Sequence, residues 1–134
     1  MDLRYEWRAP FANAEVNALH AAGFDHSVLD IDWKGQVERH SLGWVCAFDR
    51  DSARLVGFVN VAWDGGVHAF VLDTLVETPL HRQGIGRGLL DVAVRESRSA
   101  GCEWLHVDFE NDLGDFYIGA CGFTPTPAGL IALR

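Results

Sequence analysis

A glycine-rich turn between a predicted strand and a predicted helix constrains this chain more than any other feature. An apolar, β-rich segment runs from Val67 to Val76, and a helical pattern of apolar residues runs from about Ile85 to Ala100. Three glycines lie at this junction: Gly84, Gly86 and Gly88. Glycines allow consecutive backbone N–H groups to converge on one point, and a helix start adds unpaired donors with partial positive charge. The turn therefore predicts a phosphate-binding site.

Two arginines, Arg82 and Arg87, add full positive charges at the same turn. A turn that serves packing alone is the simplest alternative. The phosphate loop of ATPases is excluded because no Gly-Lys-Ser/Thr follows. The dinucleotide fingerprint requires a glycine where Leu89 stands. Asp108 lies at a suitable distance for a ribose contact, but that fingerprint belongs to a larger parallel fold, and we reject it.

Length and charge limit the classes of function. The 134 residues suit one domain, 1–134, with a core of its own. The formal net charge is −8, from 19 acidic residues against 11 Lys and Arg, so we expect no nucleic-acid partner. An acidic surface serves solubility or attracts a cationic substrate.

The chain shows no apolar run of membrane-spanning length and no secretory signal, so we expect no membrane partner. Its three cysteines are too few and too scattered for a disulfide framework or a zinc site. We therefore expect a reducing cytoplasm and no metal. A homodimer is left open.

The periodicity predicts alternating strands and helices along the chain. Strands are expected at Leu3–Arg8, Trp44–Phe48, Leu55–Trp63, Val67–Val76 and Trp104–Phe109, with two short ones near Phe123–Thr126 and Leu130–Leu133. Helices are expected at Pro10–Ala22, about Trp33–Ser41, Ile85–Ala100 and about Leu113–Ala120. Three antiparallel strands precede the turn, and a crossover helix makes the next strand parallel. This order predicts an α+β fold of three layers, with a mixed, mostly antiparallel twisted sheet of six to seven strands.

This order and two motifs resemble the GNAT superfamily of acetyl-CoA-dependent N-acetyltransferases. The family signature Gln/Arg-x-x-Gly-x-Gly/Ala is matched by Gly84, Ile85 and Gly86, with His81 in the Gln/Arg position. A Phe-Tyr pair before Gly-Phe stands here as Phe116-Tyr117 and Gly122-Phe123. The chain departs from the family at Glu110, which stands where the family has Asn; Asn111 follows one place later.

The resemblance implies an acetyl-CoA site in which the fourth and fifth strands splay apart and the pantetheine arm lies between them. Backbone groups of Leu75 and Val76 would pair with pantetheine, and the amides from Arg82 to Gly88 would hold the pyrophosphate. The implied cofactor-binding residues are Leu75, Val76, His81, Arg82, Gln83, Gly84, Ile85, Gly86, Arg87, Gly88, Asn111 and Tyr117.

Acetyl transfer to an amine requires a neutral amine, a fixed thioester, stabilisation of the oxyanion and a proton for the departing thiolate. Tyr117 resembles the family's general acid, and a packed core aromatic is the alternative. His106, Asp108 and Glu110 share one face of their strand. Among them Glu110 is the expected general base. Asp73, the one carboxylate in an apolar strand, is the reserve, since burial requires it to be either paired or functional.

The sequence therefore predicts an N-acetyltransferase that moves an acetyl group from acetyl-CoA to a primary amine of a small molecule or peptide. A module of the same fold that binds acyl-CoA without catalysis is the alternative. A structural domain that uses an exposed sheet edge has no supporting feature. The acceptor itself is not readable from the sequence.

Overall fold

The computed structural model describes residues 1–134, and its main element is a five-stranded sheet in the order β1-β2-β3-β4-β5. The strands are β1 (Leu3–Trp7), β2 (Ser41–Asp49), β3 (Leu55–Trp63), β4 (His68–Val76) and β5 (Trp104–His106). The helices are α1 (Asn13–Gly23), α2 (Trp33–His40) and α3 (Ile85–Ser99), with 3₁₀ turns at Thr78–Leu80 and Asn111–Leu113 and a π-helix at Asp115–Ala120. All neighbouring strands are antiparallel except β4 and β5, which are parallel.

Helices cover both faces of the sheet. On one face α1 and α2 pack against a core that includes Trp33, Trp44 and Phe58. On the other face α3 contributes Ile85, Leu89, Leu90, Val92 and Ala93 to a second core. The expected three-layer α+β architecture is confirmed.

A β-bulge in β4 changes which face its side chains occupy. Phe58 pairs with Leu75, whereas Asn60 pairs with Leu72, so Asp73 and Thr74 together stand opposite a single residue of β3. Asp73 has a φ of +53°, a backbone conformation that is uncommon for a residue other than glycine. The extra residue shifts the register by one, so Leu75 shares a face and a core with Phe58.

The parallel pair is short. β5 pairs with β4 only from Trp104 to His106, and its last residue lies opposite Phe70. β4 continues for six further residues to Val76, whereas the chain after His106 leaves the sheet. The predicted strand to Phe109 is therefore too long, and the gap beyond Phe70 opens a cleft between the two segments.

The sheet has five strands, fewer than the predicted six to seven. The segments Phe123–Thr126 and Leu130–Leu133 have no regular secondary structure and join no ladder. Pro125 and Pro127 lack the N–H that a ladder requires. β5 has also left the sheet at His106, so it offers no adjacent edge to the last residues. Alternating apolar residues predict a strand, but only a partner can complete one.

Candidate active site

The cleft between the end of β4 and the segment after β5 has a volume of about 920 Å³. One wall is the outer part of β4, and the other is the segment Val107–Asn111. Gly23 and Phe24, at the end of α1, close one side. Several predicted site residues meet here: Asp73, Leu75, Val76, His81, Glu110, Asn111 and Tyr117.

The predicted phosphate turn lies directly after β4 and presents a row of unpaired donors. None of the six backbone N–H groups from Arg82 to Arg87 donates to a protein acceptor, and the first helical bond of α3 runs from Gly88 N–H to Gly84 O at 3.0 Å. The side chains of Arg82, Gln83 and Arg87 are exposed and form no salt bridge. Donors and two cations at one helix start form a site with the electrostatics that a phosphate requires.

The three glycines of the turn have different structural roles. Gly84 has a φ of +83°, and a Cβ there would meet nothing within 4 Å, so it serves the turn itself. A Cβ at Gly86 would lie 2.9 Å from Cζ of Phe116. A Cβ at Gly88 would lie 2.4 Å from the Tyr5 ring. Packing therefore accounts for Gly86 and Gly88, and only Gly84 is dictated by the shape of the turn.

The main chain of Val76 in β4 faces the cleft. Glu77 N–H donates to Val56 O, so in the alternating antiparallel ladder the N–H and C=O of Val76 point away from β3. The main chain of Leu75 points towards β3, and its side chain is buried. His81 Nε2 lies 2.8 Å from the Val76 carbonyl oxygen, and because a carbonyl only accepts, the ring donates. The N–H of Val76 remains directed into the cleft.

Tyr117 lies at the cleft with its ring buried against Phe109, Phe116 and Phe123. Its hydroxyl donates to Thr74 Oγ1 over 3.1 Å. Burial raises the pKa of the phenol above its ordinary value of 10.0, although the hydrogen bond with Thr74 acts in the opposite direction. Tyr117 therefore stays protonated at neutral pH and keeps a proton to give. It is both a core aromatic and a cleft residue.

The side chain of Asp73 is paired with a histidine of α1. Its Oδ1 lies 3.3 Å from Nε2 of His20, which α1 supplies. Burial raises the pKa of the Asp73 carboxyl above its ordinary value of 3.8, although the neighbouring His20 lowers it. A half-buried carboxyl with a raised pKa at a cleft is suited to accepting a proton.

Of the predicted row His106, Asp108 and Glu110, only the last two line the cleft. His106 Nε2 lies 2.7 Å from Nδ1 of His68, and its ring stacks on Phe70 at 4.7 Å. Asp108 and Glu110 follow the end of β5, line the cleft and are exposed. Glu110 makes no ion pair, and Asn111 begins a 3₁₀ turn beside it.

The fold agrees with comparisons against known proteins. The sequence model described as "Acetyltransferase (GNAT) family" matches residues 3–123. This chain is a member of the GNAT acetyltransferase family. Family and fold together indicate acyltransferase activity. No curated protein matches the chain.

Solved structures similar to this GNAT domain include other acetyltransferases. The GNAT-family acetyltransferase SP0256 of Streptococcus pneumoniae has 24% identity and a TM-score of 0.78, covering 99% of this chain and 98% of its own. The aminoglycoside acetyltransferase meta-AAC0020 from an uncultured soil metagenomic sample, in complex with trehalose, has 17% identity and a TM-score of 0.76, covering 98% and 95%. AAC(6')-Iy in complex with the bisubstrate analogue CoA-S-monomethyl-acetylneamine has 15% identity and a TM-score of 0.76, covering 100% and 99%.

Three residues of this site were not predicted as site residues from the sequence: Thr74, His20 and His26. Thr74 stands next to Asp73 in β4, and its contact with Tyr117 joins residues 43 positions apart. His20 and His26 come from a segment that is far from β4 in sequence, and no spacing rule connects them.

None of the helices combines the length and hydropathy that a membrane crossing requires. No three His, Cys, Asp or Glu side chains lie where they could jointly hold a metal ion.

Proposed function

We propose that this GNAT domain is an N-acetyltransferase that moves an acetyl group from acetyl-CoA directly to a primary amine of a small molecule or peptide. The observation that carries the proposal is the row of unpaired amides from Arg82 to Arg87, which directly follows His81 of the cleft that also contains Tyr117. The diphosphate of coenzyme A would accept from those amides and pair with Arg82 and Arg87. Charge-assisted hydrogen bonds of about 1.5–3 kcal/mol each are sufficient for micromolar binding after ordering costs.

The thioester end of the cofactor would lie along β4. The N–H of Val76, which points into the cleft, is the proposed donor to the developing oxyanion. The predicted pairing of Leu75 backbone groups with pantetheine is not part of this proposal, because the Leu75 main chain faces β3. His81 would leave the Val76 carbonyl less free to accept from pantetheine, since it already donates to that oxygen at 2.8 Å.

The chemical step needs one group to take a proton and one to give it. Asp73 is the proposed base for the acceptor ammonium, and Glu110 stays the second candidate. The amine then attacks the thioester carbonyl carbon, the carbon–sulfur bond breaks, and Tyr117 donates a proton to the departing thiolate. The attacking nitrogen, which the new bond makes cationic, loses its second proton, and Tyr117 regains one, so that one proton in all is released to solvent. An amine acceptor agrees with the structures whose ligands are an acetylated neamine joined to CoA and the aminoglycoside sisomicin.

The test has a binding arm and a turnover arm. Calorimetric titration with coenzyme A should give micromolar affinity, and Arg87→Gln should weaken it about tenfold. Arg95→Gln, an exposed arginine farther along the same helix, is the matched control and should bind normally. Free thiol released from acetyl-CoA across a library of amines measures turnover. Absence of coenzyme binding by the unaltered chain would overturn the proposal.

A domain that binds acyl-CoA without catalysis is the second candidate. The feature that favours it is His81, which stands in the Gln/Arg position of the signature and departs there from the pattern of the catalytic family. Tight coenzyme binding with no thiol release for any amine would select this candidate.

A further inference from the structure

A continuous line of polar contacts leads from Asp73 to the protein surface. Asp73 Oδ1 lies 3.3 Å from Nε2 of His20, and Nδ1 of His20 lies 2.8 Å from Nε2 of His26. His26 Nδ1 lies 2.6 Å from the carbonyl oxygen of Ser27, which is exposed. Neither ring has an acidic partner apart from Asp73.

The end of α1 builds this line. The backbone N–H of His26 donates to Ala21 O at 3.1 Å, and Asp25 adopts a φ of +52°. The chain therefore turns back and places the His26 ring over the His20 ring. The His20 ring is held between Phe24, at a centroid distance of 4.6 Å, and Trp33, at 5.2 Å. Both histidines are half-buried, so their rings have fixed neighbours.

The protons of this line can be counted. A carbonyl oxygen only accepts, so His26 must carry a proton on Nδ1. One proton must also lie between the two rings, and one between His20 and Asp73. These three contacts need three protons, whereas two neutral imidazoles supply only two. The line therefore holds one proton more than two neutral imidazoles and an ionised carboxylate would supply. This proton can be assigned to Asp73, His20 or His26.

We propose that Asp73, His20 and His26 form a proton relay that takes a proton from the acceptor ammonium in the cleft and releases one to solvent. The proposal rests on the proposed acetyl transfer, with Asp73 as base. In the step, an N–H bond of the ammonium breaks and its electron pair stays on nitrogen. The proton binds the free oxygen of Asp73, a proton moves from His20 Nδ1 to His26 Nε2, and His26 gives its Nδ1 proton to water. One proton enters and one leaves, so the line still holds three, and His26 is then in the Nε2–H form. After the product leaves, Asp73 loses its proton to solvent in the open cleft and His26 regains its Nδ1 proton from solvent, which restores the three contacts.

Other titratable groups face the same cleft and define what the relay must be distinguished from. His81, Asp108, Glu110 and Tyr117 line the cavity with Asp73, but only His20 contacts its carboxylate. His81 is bonded to a carbonyl, and Tyr117 to Thr74. A proton that reaches Asp73 therefore has one hydrogen-bonded route away from the cleft, through His20.

Nuclear magnetic resonance of the histidine ring nitrogens tests the relay without any turnover. Long-range ¹H–¹⁵N correlation should show the His26 proton on Nδ1, whereas free neutral imidazoles in water prefer it on Nε2. His20→Gln should leave the His26 proton on Nδ1, because the Ser27 carbonyl still accepts it there. A wild-type His26 with its proton on Nε2 would overturn the relay, whatever the enzyme does.

Kinetics provide the second test. His26→Phe keeps an aromatic ring but cannot carry a proton, and it should lower kcat about tenfold or more near pH 7. The loss should shrink as the pH approaches the pKa of the acceptor amine, because much of the amine is then already neutral. The coenzyme affinity should stay unchanged. His68→Phe, which alters the other histidine pair, is the control with normal turnover. A pH-independent loss, or none, would overturn the relay. If wild-type protein acetylates no amine, the proposed function fails, and the ring-nitrogen measurement still decides the proton count.

Discussion

The hydroxyl of Tyr117 donates to Oγ1 of Thr74, the residue that follows Asp73 in the β4 bulge. Asp73 meets His20 of α1, whereas Thr74 meets Tyr117, which packs into the core on the α3 face. In the bulged strand, therefore, Asp73 is the base candidate, and the next residue, Thr74, is the hydrogen-bond partner of the acid candidate. A regular strand would also alternate its side chains, but it would leave Leu75 on the wrong face for its core with Phe58.

Replacing Tyr117 by Phe should lower kcat about 100-fold, because the thiolate loses its proton donor. The ring would remain packed against Phe109, and the lost hydrogen bond costs about 1 kcal/mol of unfolding free energy. Single-turnover kinetics and thermal melting measure the two effects. Thr74→Val is the matched control, since it removes the partner oxygen and keeps the phenol. Equal rates for Tyr117→Phe and wild type would remove Tyr117 from the chemistry.

Acid and base should also set different limits of the pH profile. A donor must be protonated, so activity that depends on Tyr117 is lost as the pH rises through the phenol's pKa, which burial raises above 10.0. The alkaline fall of kcat in wild type should therefore begin above pH 10 for a chemically stable amine. Tyr117→Phe should remove that fall. A wild-type fall below pH 9 would assign it to another group.

Asp73→Asn should separate stability from activity. The folded-state pKa of Asp73 is raised by burial, so the stability that its protonated form contributes is present below about pH 3.8 and is lost as the pH rises through the folded pKa. Asn is neutral at every pH and avoids that loss. The variant should therefore melt higher than wild type at pH 7 and at the same temperature at pH 3, while turnover falls.

Asp112→Asn, an exposed acid near the cleft, is the control for this stability effect and should change neither melting nor turnover. Asp73→Asn melting below wild type at pH 7 would mean that the attraction to His20 exceeds the cost of burial, contrary to the raised pKa.

The turn glycines should divide into two groups. Gly88→Ala would drive a Cβ to 2.4 Å from the Tyr5 ring, so it should destabilise the fold by about 1–3 kcal/mol. Gly84→Ala meets no atom but strains a φ of +83°, at a cost of about 1–2 kcal/mol, and the strain is relieved by moving the phosphate turn. Titration should show weaker coenzyme binding for Gly84→Ala than for Gly88→Ala. The reverse order would contradict the assignment.

Periodicity and turn chemistry predicted the elements well where each is determined locally. The strand Leu55–Trp63 and the start of α3 at Ile85 are observed as predicted, because alternation and the glycine turn are local signals. The bulge at Asp73 was not predicted, because it depends on the register between β3 and β4. The contact of His20 with Asp73 joins residues 53 positions apart, which a single sequence does not reveal. Phe123–Thr126 looked like a strand but lacks a partner.

The final prediction decides between Asp73 and Glu110 as the base. Glu110 was favoured by the face that it shares with His106, yet the structure leaves it exposed with no ion-pair partner, while His106 turns to His68. Asp73 is half-buried and paired with His20, so proton transfer to it is coupled to a route to solvent. Glu110→Gln should therefore lower kcat/KM for the acceptor less than tenfold, and Asp73→Asn about 100-fold. Initial rates at pH 7 with saturating acetyl-CoA measure both, and a larger loss in Glu110→Gln would transfer the role to Glu110.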